Sequence, residues 1–383
     1  MLALSSRLMG AAVVAALAPV LVAQRPVFTV GGVAPDFTSL PAAVAAVPPG
    51  SVLVVRPGLH EGFATSKPLR VVLDFGGAAG AIQPAAGAAY AITVTNLPPG
   101  DEFVLLGRDA TITGGSVGGL RFANCIAPVV VERVYDVTGP AGIGVSIDNC
   151  AAVHLRRSVF TGGVGIEAQF TDLVVGECVA IGSAGAGAVV ANSRCESVRT
   201  FYTGWAQPGV RLQQSVARFA NDGSSAIGVA GATSPVAAIE AIDCQLQLDP
   251  ATLGLLPANG APGLLRVGGS HLVDDVPTLT TSLAAPGTTA TVTLASNTPR
   301  LGVIFFGGLL PTPFPFLLAS IYVDLAPSPI VVALGFTDTN GLSVPAAVPN
   351  SPALRGAIWC LQGGVQAANG QPLLSGPGLW IAL

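Results

Sequence analysis

Two acidic residues, Asp148 and Glu167, are placed where their side chains could act together. If they occupy outward positions on neighbouring coils of one repeated structure, their carboxyl groups could approach within several ångströms. Such a pair could bind Ca²⁺ through oxygen ligands, or serve as acid and base on a glycosidic bond. The simpler interpretation, which we favour, is that both are ordinary polar residues on an exposed strand face.

Three basic residues accompany this pair. Arg121 and Arg211 fall in the predicted column of Glu167, one before and one after it, and could attract an acidic sugar, while His154 follows Asp148 closely. Asp148, Glu167 and Arg211 are therefore the candidate catalytic residues, and Arg121 and His154 are the candidate ligand-binding residues. Apart from Ca²⁺ no cofactor is predicted, and no Cys-x-x-Cys spacing indicates a zinc site.

The elements that would position these residues repeat along the chain. Gly119, Gly144, Gly165, Gly187 and Gly209 are separated by 25, 21, 22 and 22 residues, a period typical of a chain that winds in coils. Apolar residues follow each glycine at the next position and again two further on, with mostly polar or small residues between them. This alternation predicts one half-buried strand in every coil, and so a stacked parallel β-structure.

Two further columns belong to the predicted coils. One is rich in side-chain amides, which we expect to hydrogen-bond along the axis between strands about 4.8 Å apart. Its members are Asn124, Asn149, Phe170, Asn192 and Gln214. The other alternates in charge, which is typical of a solvated stacking ladder. Its members are Val134, Arg157, Glu177, Arg199 and Arg218.

Two of the six cysteines, Cys125 and Cys150, directly follow the amide column. On adjacent coils they would lie within disulfide reach if their side chains converge. The alternative is a pair of free thiols stacked at a position where later coils carry Thr171 and Ser193. An exported chain would permit the disulfide.

The region before the repeats contains a recognisable opening. It consists of Asp36-Phe37-Thr38, an apolar helical stretch, a short strand and the turn Pro57-Gly58-Leu59-His60-Glu61. This opening resembles that of pectinesterases and other pectin-lyase-like right-handed parallel β-helix proteins. The resemblance implies a right-handed parallel β-helix, and the apolar face of the helical stretch would plug its open end.

The catalytic motifs of that family are absent. The chain has no Gln-Asp pair, and its Asp-Phe-Gly sequence, Asp74-Phe75-Gly76, comes before the repeats begin. The resemblance therefore transfers no catalytic residue to this sequence.

Beyond Asp249-Pro250 the register fades, and from Thr278 longer strands separated by turn residues predict a small antiparallel β-sandwich. Its predicted strands span 278–283, 289–295, 301–306, 321–325, 330–336, 354–362 and 378–383. The stretch Val348–Gln362 resembles a C-terminal module of exported proteins from planctomycete-type bacteria. That resemblance implies a surface or assembly role and contributes no catalytic residue.

The amino terminus has the layout of a cleavable secretory signal, with Arg7 before an apolar run that ends near Ala23. A retained anchor is the alternative, although the run is short for one. The predicted organisation is a signal peptide over 1–23, a β-helix with an N-terminal helical cap over 24–260, a linker over 261–277 and the β-sandwich over 278–383.

Composition narrows the function. Of the 383 residues, 51% are hydrophobic and 10% are charged, and the net charge of −4 with no basic run disfavours nucleic-acid binding. We predict a secreted, non-catalytic protein of the cell surface or periplasm that binds a polysaccharide or another envelope component, or is structural. After signal cleavage it would not be an integral membrane protein. The alternative is a polysaccharide lyase or glycoside hydrolase that acts on an acidic polysaccharide through the carboxylates above.

Overall fold

A computed structural model of the chain describes residues 25–75, 80–138, 141–220, 222–227, 235–253, 255–282, 287–324, 330–338, 341–347, 358–367 and 369–381. These residues form an all-β structure, a parallel β-helix followed by small antiparallel sheets, which confirms the predicted fold class. The predicted signal peptide, 1–23, lies outside the described residues, as do residues 348–357 of the C-terminal resemblance. Over the described part of the chain, no helix has the length and apolar character of a membrane span.

The coils contribute strands to three parallel sheets, called here the first, second and third sheets, with strands numbered along the chain. The first sheet contains β1 (Val27–Val30), β2 (Val52–Val55), β5 (Arg70–Asp74), the starts of β8 (Phe103–Thr113) and β10 (Val129–Thr138), β12 (Val153–Arg156), β15 (Asp172–Gly176), β18 (Arg194–Val198), β21 (Val216–Ala220), β24 (Gln245–Leu248) and β26 (Ser270–Val273).

The other two sheets follow the same stacking rule. The second contains β3 (Leu59–Glu61), β6 (Ala81–Gln83), the ends of β8 and β10, β13 (Val159–Gly162), β16 (Val179–Gly182), β19 (Phe201–Trp205) and β22 (Gly223–Ile227). The third contains β4 (Phe63–Thr65), β7 (Tyr90–Thr95), β9 (Gly118–Ala123), β11 (Ile143–Asp148), β14 (Val164–Gln169), β17 (Ala188–Ala191), β20 (Val210–Gln213), β23 (Ile239–Ile242) and β25 (Leu264–Val267).

The core lies along the axis of the β-helix, where the predicted apolar columns stack in register. One such column of the third sheet is buried in every coil from β7 to β23. It consists of Val94, Phe122, Ile147, Ala168, Val190, Leu212 and Ala241. At the N-terminal end, α1 (Leu40–Ala46) buries Leu40, Ala43 and Val44 against this core, which is the plug that the apolar helical face predicts.

The amide column forms a corner of the coil, and its members share a left-handed backbone. Their φ angles are 54° at Asn124, 50° at Asn149, 52° at Phe170, 49° at Asn192 and 46° at Gln214. Asparagine adopts this conformation at a lower cost than most residues, which explains its enrichment. The amide of Asn149 also donates to Oδ1 of Asn124 over 2.9 Å, so stacking along the axis occurs at this pair.

The position after this corner carries a ladder of small polar side chains. Thr171 Oγ1 accepts from the backbone N–H of Cys150 (3.2 Å), Ser193 Oγ from that of Thr171 (3.1 Å), and Ser215 Oγ from that of Ser193 (3.2 Å). Each hydroxyl also donates to the carbonyl two residues before it. The ladder satisfies inward-facing backbone groups that the turn would otherwise leave unpaired.

Cys125 and Cys150 occupy the first positions of this same column. Both are buried free thiols, and Cys150 points to the carbonyl of Asp148 at 3.4 Å, as the hydroxyls of later coils do. A hydrogen bond between the two thiols raises the pKa of Cys150 above its usual range. The disulfide between them stays a prediction.

Replacing Ser193 by alanine should lower the free energy of unfolding by about 1–2 kcal/mol, because the buried N–H of Thr171 would lose its acceptor. The measurement is equilibrium unfolding in urea. Ser146→Ala, on the outer side of β11, is the matched control and should change stability little. Equal losses in the two variants would contradict the role assigned to the ladder.

The predicted charge column is confirmed at its centre, but the prediction of its first and last members is wrong. Glu177 binds Arg157 (3.1 Å) and Arg199 (2.6 Å) on the neighbouring coils, as the alternation of charge predicts. Val134, however, is buried in the core, and Arg218 is buried on the first sheet. The coil that precedes Arg157 contributes Arg133 to this corner, where the backbone is left-handed again.

Antiparallel sheets follow the β-helix. One sheet contains β27 (Thr278–Thr281), β28 (Thr289–Ala295) and β33 (Leu342–Ala347). Another contains, in order, β32 (Ile330–Phe336), β29 (Leu301–Gly307), β34 (Ile358–Gln366) and β35 (Pro372–Ile381). A two-stranded sheet pairs β30 (Leu309–Phe316) with β31 (Ala319–Val323). Leu279, Val292 and Leu294 of the first of these share a core with Ile304 and Leu361 of the second, as in a sandwich. The predicted linker, 261–277, contains β25 and β26, which pair with the preceding coil.

Candidate functional site

The antiparallel sheets cover the outward side of the first sheet. Tyr322 Oη donates to Asp172 (2.6 Å), the N–H of Ser320 donates to Glu196 (2.9 Å), and Arg218 donates to the carbonyl of Leu374 (2.6 Å). Glu196 and Arg218 are only 2% exposed although both belong to outward columns. The outward residues of the third sheet, in contrast, are mostly half-buried or exposed, so this sheet offers the accessible strand surface on which a ligand could lie.

His154 is not part of that surface. It belongs to β12 of the first sheet, is fully buried, and its ring packs edge-on against Tyr322 with 5.5 Å between ring centroids. Burial, together with the nearby Arg156, lowers the pKa of His154 to about 3, so the ring is neutral. His154 and Asp148 therefore lie on different sheets, and the ligand-binding role of His154 stays a prediction.

Asp148 and Glu167 lie on neighbouring strands of the third sheet, two register positions apart, as the repeat predicts. Asp148 is opposite Gln169, and Glu167 is opposite Ser146. Both side chains are half-buried, and within the described residues neither has a hydrogen-bond or ion-pair partner. No group of three or more His, Cys, Asp or Glu side chains in the described ranges is arranged to hold a metal ion.

Arg211 is occupied by partners that the sequence alone did not indicate. Its Nε lies 2.8 Å from Oε2 of Glu240 on the next strand, and a second guanidinium nitrogen donates to Gln207 over 2.7 Å. Since this guanidinium already pairs with an adjacent carboxylate, it has little free charge to offer an acidic ligand. The pair is partly exposed and contributes little to stability.

A groove opens at the N-terminal end of the third sheet, on β4, β7 and β9, the three strands that precede β11 of Asp148. It has a volume of 320 Å³, and neither of those carboxylates lines it. Its polar lining comes from Glu61, Tyr90, Thr93 and Arg121. The guanidinium of Arg121 stacks on the Tyr90 ring, 5.7 Å from its centroid, a cation–π arrangement. Of the predicted site residues, the structure brings Arg121 alone into this groove.

Two close backbone approaches shape the groove. At Gly62 a Cβ atom would lie 1.9 Å from the carbonyl oxygen of Ala91, so the coils touch at the floor of the groove. At Gly118 a Cβ atom would lie 2.2 Å from the carbonyl oxygen of Ile143 on the next coil and 2.8 Å from the ring of Tyr90, so this glycine lets both lie close to the strand. An aromatic ring with a few converging polar groups in a concavity is the usual composition of a small-ligand site.

Sequence reasoning missed most of this groove. Glu61 was part of a turn interpreted as structural, and Tyr90 and Thr93 precede the first glycine of the repeat. One signal could have extended the predicted site to this groove. The outward column of Arg121 continues to Thr93 on the preceding coil, and the structure pairs these two residues in register.

No protein-family model matches the chain, and no curated protein sequence matches it. Among solved structures, the chain is similar to the full-length tailspike protein 2 of Escherichia coli O157:H7 bacteriophage CAB120, at 10% sequence identity and a TM-score of 0.30. The similarity covers 85% of this chain and 62% of the tailspike chain. The strand pairing of the three parallel sheets defines the β-helix of this chain.

Proposed function

We propose that the protein is an exported, non-catalytic β-helix that binds a polysaccharide of the cell envelope or its surroundings through the groove of Tyr90 and Arg121. The observation that carries the proposal is this stacked pair beside Glu61, in a 320 Å³ groove on the sheet that the antiparallel module leaves accessible. An aromatic ring offers an apolar surface to a sugar ring, while Arg121, Glu61 and Thr93 offer donors and acceptors for its hydroxyl groups.

The stacked coils also suit a polymeric ligand. Outward side chains of the third sheet recur once per coil, so a chain of sugar units that leaves the groove can meet further polar groups at Ser146 and Glu167. Mixed charge in the groove, Arg121 with Glu61, accommodates both neutral and acidic sugars. The covered first sheet has no comparable access, since its outward residues contact the antiparallel sheets.

Tyr90→Ala and Arg121→Ala should each weaken polysaccharide binding at least about tenfold, equivalent to about 1.4 kcal/mol. The measurement is affinity electrophoresis or calorimetry of residues 24–383 against a panel of neutral and acidic polysaccharides. Arg211→Ala is the matched control, because it removes an arginine of the same sheet whose charge is already paired, and it should bind normally. Binding that survives both groove variants would remove the groove from the proposal.

The same panel tests the enzymatic alternative. Reducing ends or unsaturated products, with or without Ca²⁺, that disappear in Asp148→Ala and Glu167→Ala would establish catalysis by the carboxylate pair and overturn the non-catalytic proposal. We expect no product, and a much smaller loss of binding in these two variants than in the groove variants, because neither carboxylate lines the groove.

A further inference from the structure

The last coil of the β-helix breaks the apolar pattern of the core. In the third sheet, Arg266 is in register with Ala241, at the end of a column that is apolar and buried in seven preceding coils. In the first sheet, His271 is in register with the buried Leu246. Residues that are paired in register on neighbouring parallel strands point to the same side of the sheet. Arg266 and His271 therefore take inward positions in the last coil, as Ala241 and Leu246 do in the coil before it.

No α-helix in the described part of the chain plugs this end of the β-helix. Leu265 (42% exposed), Val267 (56%), Leu272 (49%) and Val273 (44%) lie at its rim. Within the described residues no strand pairs with the outer edges of β25 and β26. At the opposite end α1 plugs the core, but here unpaired backbone groups and aliphatic side chains occur together, which is the usual template for strand addition.

A second copy of the chain is the partner whose edge has the same shape and repeat. Two such ends facing each other would pair their strand edges and remove the aliphatic rim from water. They would also bring two copies of Arg266, and two of His271, towards one apolar axis. Arg266 is exposed, and its partner in the described residues is the carbonyl of Gly269 at 3.3 Å, so it would enter that interface with no carboxylate to neutralise it.

We propose that Arg266 and His271 are gatekeepers that prevent end-to-end association of the β-helix with a second copy of itself. Inward-pointing charged residues on an edge strand are an effective obstacle to edge pairing, because they cannot be desolvated in the new interface. The cost to the monomer is small, since both side chains are exposed to water.

The test restores the residue types of the preceding coil. The double variant Arg266→Ala, His271→Leu should self-associate at least tenfold more tightly than the wild type, measured by sedimentation velocity over a series of protein concentrations. Arg211→Ala, which changes an outward arginine of the third sheet, should sediment like the wild type. Adding Leu265→Lys at the rim should return the double variant to the monomer, which would locate the association at this end.

A complementary pairing experiment does not depend on how well the double variant folds. Arg266→Glu should be monomeric alone but should form a salt-sensitive dimer when mixed with the wild type, because opposite charges then meet at the axis. The proposal is overturned if the wild type already dimerises through this end. It is also overturned if the folded double variant and the mixture both stay monomeric at every concentration.

Discussion

Replacing Gly165 by valine should destabilise the β-helix by about 3 kcal/mol or more, a large part of the roughly 5–15 kcal/mol by which folded chains are ordinarily stable. A Cβ atom at this position would lie 2.5 Å from the carbonyl oxygen of Gly187 and 2.8 Å from the backbone nitrogen of Ile181. Both obstacles are backbone atoms of the next coil, so no side chain can move aside. The measurement is the free energy of unfolding in urea.

Gly176→Ala is the matched control for this experiment. Gly176 also lies in a β-strand of a central coil, but the nearest atoms to an added Cβ belong to the side chain of Arg156, at 4.0 Å, which is an ordinary van der Waals contact. We expect a change within about 0.5 kcal/mol for Gly176→Ala and a large loss for Gly165→Ala as well as Gly165→Val. If Gly165→Ala were as stable as the control, the close approach between coils could not be the reason for glycine here.

The glycine column explains why so much of the β-helix could be predicted from the sequence. At Gly144 and Gly187 an added Cβ would also meet a carbonyl oxygen of the next coil, at 2.5 and 2.7 Å. The same contact therefore recurs at Gly144, Gly165 and Gly187 in successive coils, and the apolar columns and corner amides follow in register. A repeated physical constraint leaves a period in the sequence, and a period can be recognised without a structure.

The strands of the antiparallel sheets were predicted less completely than those of the β-helix. Two of these strands contain proline, which cannot donate a hydrogen bond to a β-ladder. β30 contains Pro311, Pro313 and Pro315, and β33 contains Pro345, so their sequences do not indicate strands. Both strands were missing from the predicted set. The proline-rich strand is tolerated in a two-stranded hairpin, where one side of each strand needs no partner.

Only part of the candidate site could be predicted, because some of the contacts around it join distant parts of the chain. The register placed Asp148, Glu167, Arg121 and Arg211 on one sheet correctly, because neighbouring coils are close in sequence. The burial of His154 was not predicted, because the residue that covers it, Tyr322, is far along the chain. The contacts that bury the first sheet, such as Asp172 with Tyr322, are 150 residues apart and leave no local pattern.

Glu196 is the buried acid on which this contact between β-helix and antiparallel module depends. Its Oε1 accepts from the N–H of Ser320 over 2.9 Å and lies 3.6 Å from Arg218, whereas its Oε2 is buried without a hydrogen-bond partner. Burial raises the pKa of Glu196 to about 7, against the attraction of Arg218, and Asp172 adds to the rise. Burial also raises the pKa of Asp172 itself.

Stability should therefore fall as the pH rises through 7. In the unfolded chain Glu196 has a pKa near 4.5, so the folded state holds its proton more tightly and gains stability that is complete below pH 4.5 and lost above the folded pKa of about 7. Between pH 5 and pH 9 the loss due to Glu196 should reach about 3 kcal/mol, at about 1.4 kcal/mol for each unit of pKa difference. Urea unfolding across this range measures it.

Glu196→Gln separates this effect from every other titration in the chain. The amide keeps the oxygen that accepts from Ser320 but cannot ionise, so the variant should lose this part of the pH dependence and be more stable than the wild type at pH 9. Glu240→Gln, on the accessible third sheet, should keep the wild-type slope. If the stability of the wild type and of Glu196→Gln changed in parallel from pH 5 to pH 9, this prediction would be wrong. Glu196 would then already be ionised beneath the module, and Arg218 would compensate its charge.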